Sequence, residues 1–282
     1  MFTVTFENHK GEQIQLYPSV KYTITEITGL NPPSANINTS ANANFDGSFF
    51  KSSRLNERNI VISLAIEGNA EDNRNELYKY IINKKKCRII YTNGLHNVYI
   101  EGYVETFEIS MFNEKETAQI SVVCPNPYFK KTESSYVEFV SAIPLFEFPF
   151  SIAAAGIEFS RLSLGEEKVL YNAGNAETGM IIEFSAIGQT SNPTLYNVET
   201  GKMMKVYLEM DTGDILRINT IKGEKSITKV IDGVETNAIN LMDKDSDWLQ
   251  LESGDNILLY TADYLPLNLV CTLIYRELFE GV

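Results

Sequence analysis

Few residues of this 282-residue chain have the types and spacing that catalysis or metal binding requires. The two histidines, His9 and His96, lie in separate polar turns, and no H-x-x-x-H, C-x-x-C or H-E-x-x-H pattern occurs that would hold zinc. The G-x-S-x-G, P-loop and G-x-G-x-x-G motifs are also absent. The sequence therefore predicts no catalytic residue, no metal site and no cofactor, and it does not indicate an enzyme.

Two acidic patterns come nearest to a reactive site. Residues 243–247, Asp-Lys-Asp-Ser-Asp, begin like a calcium loop but lack its glycine and distal glutamate, which favours a solvated turn over a cation site. Glu101, Glu105 and Glu108 could form a row of acids, but their spacing breaks a strict same-face row, so we interpret them as the polar side of a strand. A carboxylate pair for glycoside hydrolysis is defined by distance in space, which sequence spacing does not determine.

The single tryptophan, Trp248, lies in a β-like run between Asp247 and Leu249. An exposed indole can serve as a platform for a sugar ring, because its faces are apolar and its ring N–H can donate a hydrogen bond. An ordinary core aromatic is the favoured interpretation. Trp248 is kept as the possible sugar contact of the chain.

Charge is distributed unevenly along the chain. Residues 1–133 carry 14 basic and 15 acidic side chains, whereas residues 134–282 carry 10 and 22, so nearly all of the net charge of −13 lies in the second half. An acidic surface disfavours sequence-specific nucleic-acid binding, because phosphates require clustered cations. The charge step also predicts a boundary between two domains, residues 1–133 and residues 134–282.

The cysteines and the apolar runs indicate where the protein is made and whether it binds a membrane. Cys87, Cys124 and Cys271 are odd in number and widely spaced, which predicts three buried free thiols and synthesis in a reducing cytoplasm. No apolar run approaches the ~18 residues of a membrane-spanning helix, and the N-terminus does not resemble a signal peptide. We expect no membrane partner.

Hydrophobic periodicity predicts the elements of the first half. Alternation predicts short strands at residues 2–6, 14–16, 22–25, 58–68, 87–91, 98–109 and 117–124. Residues 31–46 are small and polar, so we expect a long exposed loop, or an arm that orders only against a neighbouring subunit. Apolar pairs predict a helix at residues 71–83, capped by Asn69 and closed by the lysines at 84–86.

The sequence predicts that residues 130–143 form a linker and that a second, β-rich domain follows it. Regular turns separate predicted strands at residues 145–152, 167–171, 179–187, 194–197, 202–207, 215–219, 226–230, 256–260 and 267–275. Many short strands with such turns indicate an antiparallel sandwich. The predicted fold class is mainly β: an N-terminal β-domain with one short helix, followed by a C-terminal antiparallel β-sandwich.

The order of the elements in the first half resembles the N-terminal domain of the distal tail proteins of long-tailed bacteriophages. The resemblance rests on the order of six pieces: Asp46-Gly47 after a loop, the strand at 58–68, the helix at 71–83, the strand at 87–91, Gly102-Tyr103-Val104-Glu105, and the segment at 124–129 that ends the domain. The second half resembles the family mainly in its fold class, and the resemblance implies a galectin-like sandwich.

The resemblance implies a structural role in a virion tail or a phage-tail-like particle such as a bacteriocin, made in the bacterial host cytoplasm. N-terminal domains would close a homo-hexameric ring around the DNA channel and join the tail tube protein to the tip. Outer sandwiches would hold tail-tip, tail-associated or receptor-binding proteins. The implied ring or partner contacts are Asn44, Phe45, Asp46, Gly47, Arg54 and Arg58.

A second class of function remains open from the sequence. A free carbohydrate-binding module or adhesin would be a monomer that binds sugar and acts in recognition of a host surface. An enzyme ranks third, since no motif supports it. Because the hub and the module differ in oligomeric state, a mass measurement in solution separates them.

Overall fold

The computed structural model describes residues 2–41, 46–113, 115–139, 142–144, 160–162 and 167–282. This part of the chain consists largely of antiparallel strands and contains one α-helix. The predicted mainly β class is confirmed. Within these ranges, no helix has the length and apolar character needed to cross a membrane.

The elements follow one another in this order. The first ten strands and the helix are β1 (Thr3–Glu7), β2 (Gln13–Tyr17), β3 (Tyr22–Thr28), β4 (Ala35–Ala41), β5 (Ser48–Leu55), β6 (Arg58–Ile66), α1 (Ala70–Tyr80), β7 (Lys86–Thr92), β8 (Asn97–Ser110), β9 (Thr117–Cys124) and β10 (Phe129–Lys131). The remaining strands are β11 (Ser135–Phe139), β12 (Ala142–Pro144), β13 (Ser160–Leu162), β14 (Lys168–Asn172), β15 (Met180–Ala186), β16 (Thr190–Ser191), β17 (Thr194–Asn197), β18 (Met203–Lys205), β19 (Glu209–Met210), β20 (Ile215–Asn219), β21 (Ser226–Ile231), β22 (Val234–Asn237), β23 (Gly254–Thr261), β24 (Leu269–Tyr275) and β25 (Leu278–Phe279). Short 3-10 turns lie at Ile239–Leu241 and Pro266–Asn268.

The chain forms two compact units. The first unit contains Met1–Thr132 together with Leu278–Val282, and the second unit contains Glu133–Glu277. The charge step of the sequence falls at this division, so the second unit carries a net charge of −12. The sequence pattern did not predict that the last five residues return to the first unit.

The first unit is built on a nine-stranded antiparallel sheet. Its strand order is β2-β1-β7-β8-β9-β6-β3, with β10 paired to β8 and β25 paired to β10. The alternating apolar residues of β6, such as Ile60, Ile62 and Leu64, are fully buried, and Leu77 of α1 packs into the same core. Burial of each such side chain stabilises the unit by about 1.5–3 kcal/mol.

The helix is shorter than the sequence predicts. It ends at Tyr80, since Ile81 is extended and Lys84 has a left-handed φ of 66°. The lysines at 84–86 therefore do not close its last turn, and Lys86 already begins β7. Asn69 occupies the N-cap position, but its side chain donates to the Asp72 carboxylate and makes no hydrogen bond to the helix backbone.

The second unit is an antiparallel sandwich, as predicted. One sheet has the order β11-β24-β15-β20-β21-β22 and the other β14-β23-β17-β18. Met180, Ile182 and Phe184 of β15 alternate with less buried residues and share one core with Leu195 and Leu258 of the second sheet. This alternation is what two packed sheets require of their inner faces.

Two segments predicted to be irregular contain strands. Residues 31–46 include β4, which pairs with β5 as a hairpin, and the supposed linker at 130–143 includes parts of β10 and β12 and all of β11. The expected irregular backbone was wrong, because backbone groups can pair between strands without the large apolar side chains on which the prediction relied. The expected exposure is seen at Ala35–Ala41, whose side chains lie largely in solvent. The predicted strand at 145–152 lies outside the described residues.

Candidate functional site

The most exposed regular element of the first unit is the hairpin of β4 and β5. Among the described residues these strands pair only with each other, and their side chains lie largely in solvent. At its base, the Asn56 backbone N–H donates to the Ser34 carbonyl at 3.0 Å. An isolated two-stranded hairpin is at best marginally stable in water, so this element is suited to binding against another surface.

The two faces of the hairpin differ chemically. Its register places Ile37, Phe50 and Leu55 on one side, which we call the apolar face, together with Ala35, Thr39, Ala41, Ser48 and Ser53. The opposite side, the polar face, carries Asn36, Asn38, Ser40, Phe49, Ser52 and Arg54. Ile37 and Phe50 are 61% and 65% exposed. Two of the three large exposed apolar side chains of the hairpin, Ile37 and Phe50, lie on the apolar face, whereas Phe49 lies on the other. An exposed apolar pair of this kind suits the apolar face to an interaction surface.

The predicted contact residues fall on and around this hairpin. Asp46 and Gly47 directly precede β5, and Gly47 has a φ of 104°, which favours glycine in the connection. Arg54 lies on the polar face opposite Asn36. Asn44 and Phe45 lie outside the described residues. Asp46 and Gly47 thus lie in the connection before β5 and Arg54 lies near the opposite end of that strand, and their role as contacts stays a prediction.

Arg58 has a different environment from the other predicted contacts. Its side chain is almost fully buried, with 2% exposure for the residue. Its guanidinium donates to four backbone carbonyls: those of Pro127 at 2.8 Å, Asn31 at 2.7 Å, Gly29 and Glu280. It also lies 4.6 Å from the centroid of the Phe129 ring.

These contacts give Arg58 a structural role within its own unit. Burial lowers the pKa of the guanidinium, although arginine remains charged at neutral pH. Its hydrogen bonds tie β6 to the end of β3, to the segment before β10 and to the C-terminal residues. Sequence reasoning did not predict this buried role, because the acceptors are main-chain carbonyls distant in the sequence.

The acids of β8 belong to a surface network. Glu101 pairs with Lys86 at 3.1 Å, Arg88 at 3.3 Å and Lys130 at 3.6 Å. Burial raises the pKa of Glu101, but the hydrogen bond from Lys86 and the other two cations outweigh it, so the pKa lies below its ordinary value. Glu105 accepts a hydrogen bond from the Ser121 hydroxyl at 3.0 Å. These contacts fit the predicted polar side of a strand.

In the second unit, Trp248 is partly buried against the core and lies in an irregular segment, so the predicted β-like run is wrong. The Lys225 ammonium lies 5.1 Å from its ring centroid. Within residues 243–247, the Asp245 backbone N–H donates to the Asp243 carboxylate at 2.8 Å, which is a local turn. In the part of the chain that the structure describes, no three potential metal ligands are grouped.

The three cysteines are free and buried, as predicted. Burial raises the pKa of the Cys87 and Cys124 thiols to about 12, and it also raises the pKa of Cys271. These thiols are therefore protonated and unreactive at neutral pH in the folded protein.

Two family models match the chain, one in each half. A phage tail protein RIFT-related domain matches residues 9–124, and a siphovirus-type tail component, C-terminal domain, matches residues 173–279. A comparison with curated proteins found no match. These two domains, in this order, define a siphovirus-type tail component. The two matches together span most of the chain, which belongs to the distal tail protein family, as its resemblance predicted.

Solved structures share the fold over the full length. The crystal structure of the Dit protein of phage SPP1, described as a paradigm of the hub adsorption apparatus in phages that infect Gram-positive bacteria, has a TM-score of 0.68 and 14% identity, covering 99% of both chains. A chain of the phage p2 baseplate in its activated conformation with strontium has a TM-score of 0.50 and 12% identity, covering 100% of both chains. At these identities the similarity establishes the fold.

Proposed function

We propose that this protein is the hub of a siphophage-type tail, a homo-hexameric ring around the DNA channel that joins the tail tube to the tip. One observation carries the proposal: a distal tail protein exposes a hairpin with one apolar and one polar face on its nearly neutral unit. The shared fold with the SPP1 hub protein supports it. A closed ring needs one surface of each copy to contact a different surface of the next, and a projecting hairpin supplies such a surface.

The charge distribution favours the first unit as the ring-forming part. This unit is close to neutral, so neighbouring copies meet without strong repulsion. The second unit carries −12 per copy, and six of these units in contact would repel each other. Salt at ~0.15 M screens exposed charges over about 8 Å, which weakens this repulsion but does not remove it at contact distance. The second units are therefore the peripheral ones.

In the proposed contact, the apolar face of each hairpin packs on the adjacent copy. Ile37 and Phe50 lose their exposure there, which favours assembly by ~25 cal/mol per Å² of apolar surface. Asp46, Gly47 and Arg54 lie within or next to the contact, and Asn44 and Phe45 remain predicted members of it. Arg58 is not included, since its guanidinium is occupied within its own chain.

The other partners follow from the proposed position in the tail. The ring binds the tail tube protein on one side, and the second units hold tail-tip, tail-associated or receptor-binding proteins. A channel that lets DNA pass does not need the clustered cations that would retain phosphates. The protein is proposed to be made in the host cytoplasm and to act in the assembled tail, and its free buried thiols agree with a reducing site of synthesis.

The test is the mass of the full chain by light scattering, alone and with the tail tube protein. Phe50→Ser, on the apolar face, is expected to shift the hexamer to monomer. Phe49→Ser is the matched control, because Phe49 is the preceding residue, is 53% exposed and lies on the polar face. Equal effects of the two substitutions would contradict the proposed contact. A monomer under both conditions that binds sugar would favour the carbohydrate-binding alternative.

A further inference from the structure

The second unit contains a polar and aromatic cluster that the hub role leaves unexplained. It consists of Asn192, Lys205, Tyr207, Asp243 and Asp263, and we call it the Lys205 cluster. The Lys205 ammonium lies 2.9 and 2.8 Å from the two carboxylate oxygens of Asp263, and the Asn192 amide donates to the same carboxylate at 3.0 Å. The five residues come from four separate segments, so the folded sandwich assembles them.

The backbone beneath the cluster holds these side chains in place. Asn192 has a φ of 55°, an uncommon conformation for a residue other than glycine. Its backbone N–H donates to the Leu208 carbonyl at 2.8 Å, and its side-chain oxygen accepts from the Leu208 N–H at 3.1 Å. The Asp243 N–H donates to the Lys205 carbonyl at 2.9 Å. The Asn192 side chain, fixed in this way, loses little conformational entropy when a ligand binds.

The cluster has an aromatic wall. Tyr207 is 51% exposed, and its hydroxyl donates to the Asp243 carboxylate, which orients the ring. The Lys205 ammonium lies 5.5 Å from the centroid of this ring. Tyr264, the residue after Asp263, is 52% exposed. An exposed apolar ring thus lies beside a set of oriented hydrogen-bonding groups.

We propose that the Lys205 cluster binds a neutral saccharide. The C–H face of a sugar ring packs on an aromatic ring such as that of Tyr207. Each sugar hydroxyl both donates and accepts hydrogen bonds. The Asp263 carboxylate has about four acceptor positions, of which the described contacts use three, and the Asn192 amide has a second N–H to donate.

The charge of the unit selects against an anionic ligand. Lys205 is neutralised by Asp263, and the unit carries a net charge of −12, so a phosphate-bearing polymer would be repelled. A neutral ring with hydroxyl groups matches the donors, acceptors and aromatic surface without an electrostatic cost. Sugar binding at the cluster does not depend on ring formation, since every residue of the cluster lies in the second unit.

Tyr207, and not the predicted Trp248, lies at the proposed sugar site. The Asp247 N–H donates to the Met203 carbonyl at 2.8 Å, so the acidic turn before Trp248 runs beside β18, which contains Lys205. The Trp248 ring itself packs against the core and lies beside the Lys225 ammonium. Tyr207 is the more exposed platform.

The experiment is saturation-transfer NMR of the full chain with glucose, galactose, rhamnose and N-acetylglucosamine, and with glycerol phosphate as the anionic comparison. Binding of a neutral sugar is expected, followed by affinity measurement of the sugar with the strongest signal. Tyr207→Ala and Asp263→Asn are expected to weaken that affinity by at least ~10-fold, a loss equivalent to ~1.4 kcal/mol. Asp263→Asn preserves side-chain size, so it provides a second result if Tyr207→Ala folds poorly.

Tyr171→Ala is the matched control. Tyr171 is 63% exposed and lies on β14, which is separated from β18 by two strands of the same sheet. Its substitution is expected to leave the affinity unchanged. The proposal is overturned if no neutral sugar gives transfer, if glycerol phosphate binds in preference, or if Tyr171→Ala weakens binding as much as Tyr207→Ala does.

Discussion

Replacing Arg58 by methionine tests the role of the buried guanidinium. Methionine preserves most of the apolar volume and can still contact the Phe129 ring, but it donates no hydrogen bond. The carbonyls of Gly29, Asn31, Pro127 and Glu280 would all lose a charged donor. We expect a large destabilisation of the first unit and release of its C-terminal residues.

The magnitude follows from the number and burial of these contacts. A hydrogen bond to a charged group contributes about 1.5–3 kcal/mol, and an unsatisfied buried partner costs about 1–3 kcal/mol. The four contacts are not additive, because they share one side chain and the carbonyls at the unit's edge regain water when the chain ends detach. Removing the buried charge also removes the free-energy cost of desolvating it, which offsets part of the loss. The expected loss is about 3–4 kcal/mol of unfolding free energy.

The two units can be monitored separately in one denaturation experiment. The only tryptophan of the chain lies in the second unit, so its fluorescence reports that unit alone. Circular dichroism reports both units. In urea, Arg58→Met should move the dichroism transition of the first unit to lower denaturant and leave the fluorescence transition in place. Hydrogen exchange should show faster exchange in residues 278–282.

Arg54→Met is the matched control for this substitution. Arg54 is an exposed arginine on β5, the strand that precedes β6 in the sequence, and lies on the polar face of the hairpin. Its replacement should change the unfolding free energy of the monomeric chain by less than about 0.5 kcal/mol. If the two substitutions destabilise the first unit equally, the structural role assigned to Arg58 is wrong.

Three further substitution or solution tests follow from the structure. The pKa of Glu101 is lowered in the folded state, so its carboxylate stabilises the fold above its ordinary pKa of 4.5, and this stabilisation is lost as the pH falls through the folded pKa. The Glu101→Gln variant should therefore be less stable than the natural chain at pH 7, and urea titrations should show this difference in stability shrinking below pH 4.5. Gly29→Ala should lower the unfolding free energy by about 2–4 kcal/mol, because Gly29 has a φ of 86° and a Cβ there would lie 2.2 Å from the Asn59 carbonyl oxygen. Gly11 has a similar φ of 81° but open space around it, so Gly11→Ala should lower the unfolding free energy by only about 1 kcal/mol in the same denaturation assay. A thiol reagent at pH 8 should modify the native chain much more slowly than the chain unfolded in urea, since all three cysteines are buried, and rapid modification of the native state would contradict their burial.

The sequence predicts the strands that supply the cores, for a physical reason. In β6 the residues Ile60, Ile62 and Leu64 must all face inward, and a shift of one residue would expose them. The same constraint explains the confirmed strand at Ile215–Asn219, where Leu216 and Ile218 are buried. Where one face of a strand is buried, the alternation of apolar residues in the local sequence is sufficient to predict the strand.

The sequence does not predict elements that lack a core or depend on distant partners. The β4–β5 hairpin has no buried face, so no hydrophobic alternation marks it. The bond from Arg58 to the Glu280 carbonyl joins residues 222 positions apart, and no local window contains both. The Lys205 cluster joins Asn192 to Asp263 across 71 positions. Such contacts follow from strand order in space, which sequence periodicity leaves open.

Native mass spectrometry of the full chain mixed with the tail tube protein shows directly whether the proposed homo-hexameric hub forms. A species that contains six copies of the 31.8 kDa chain is expected, and it should be lost with Phe50→Ser but not with Phe49→Ser. Only monomers and one-to-one complexes, across concentrations and with the tail tube protein present, would contradict it.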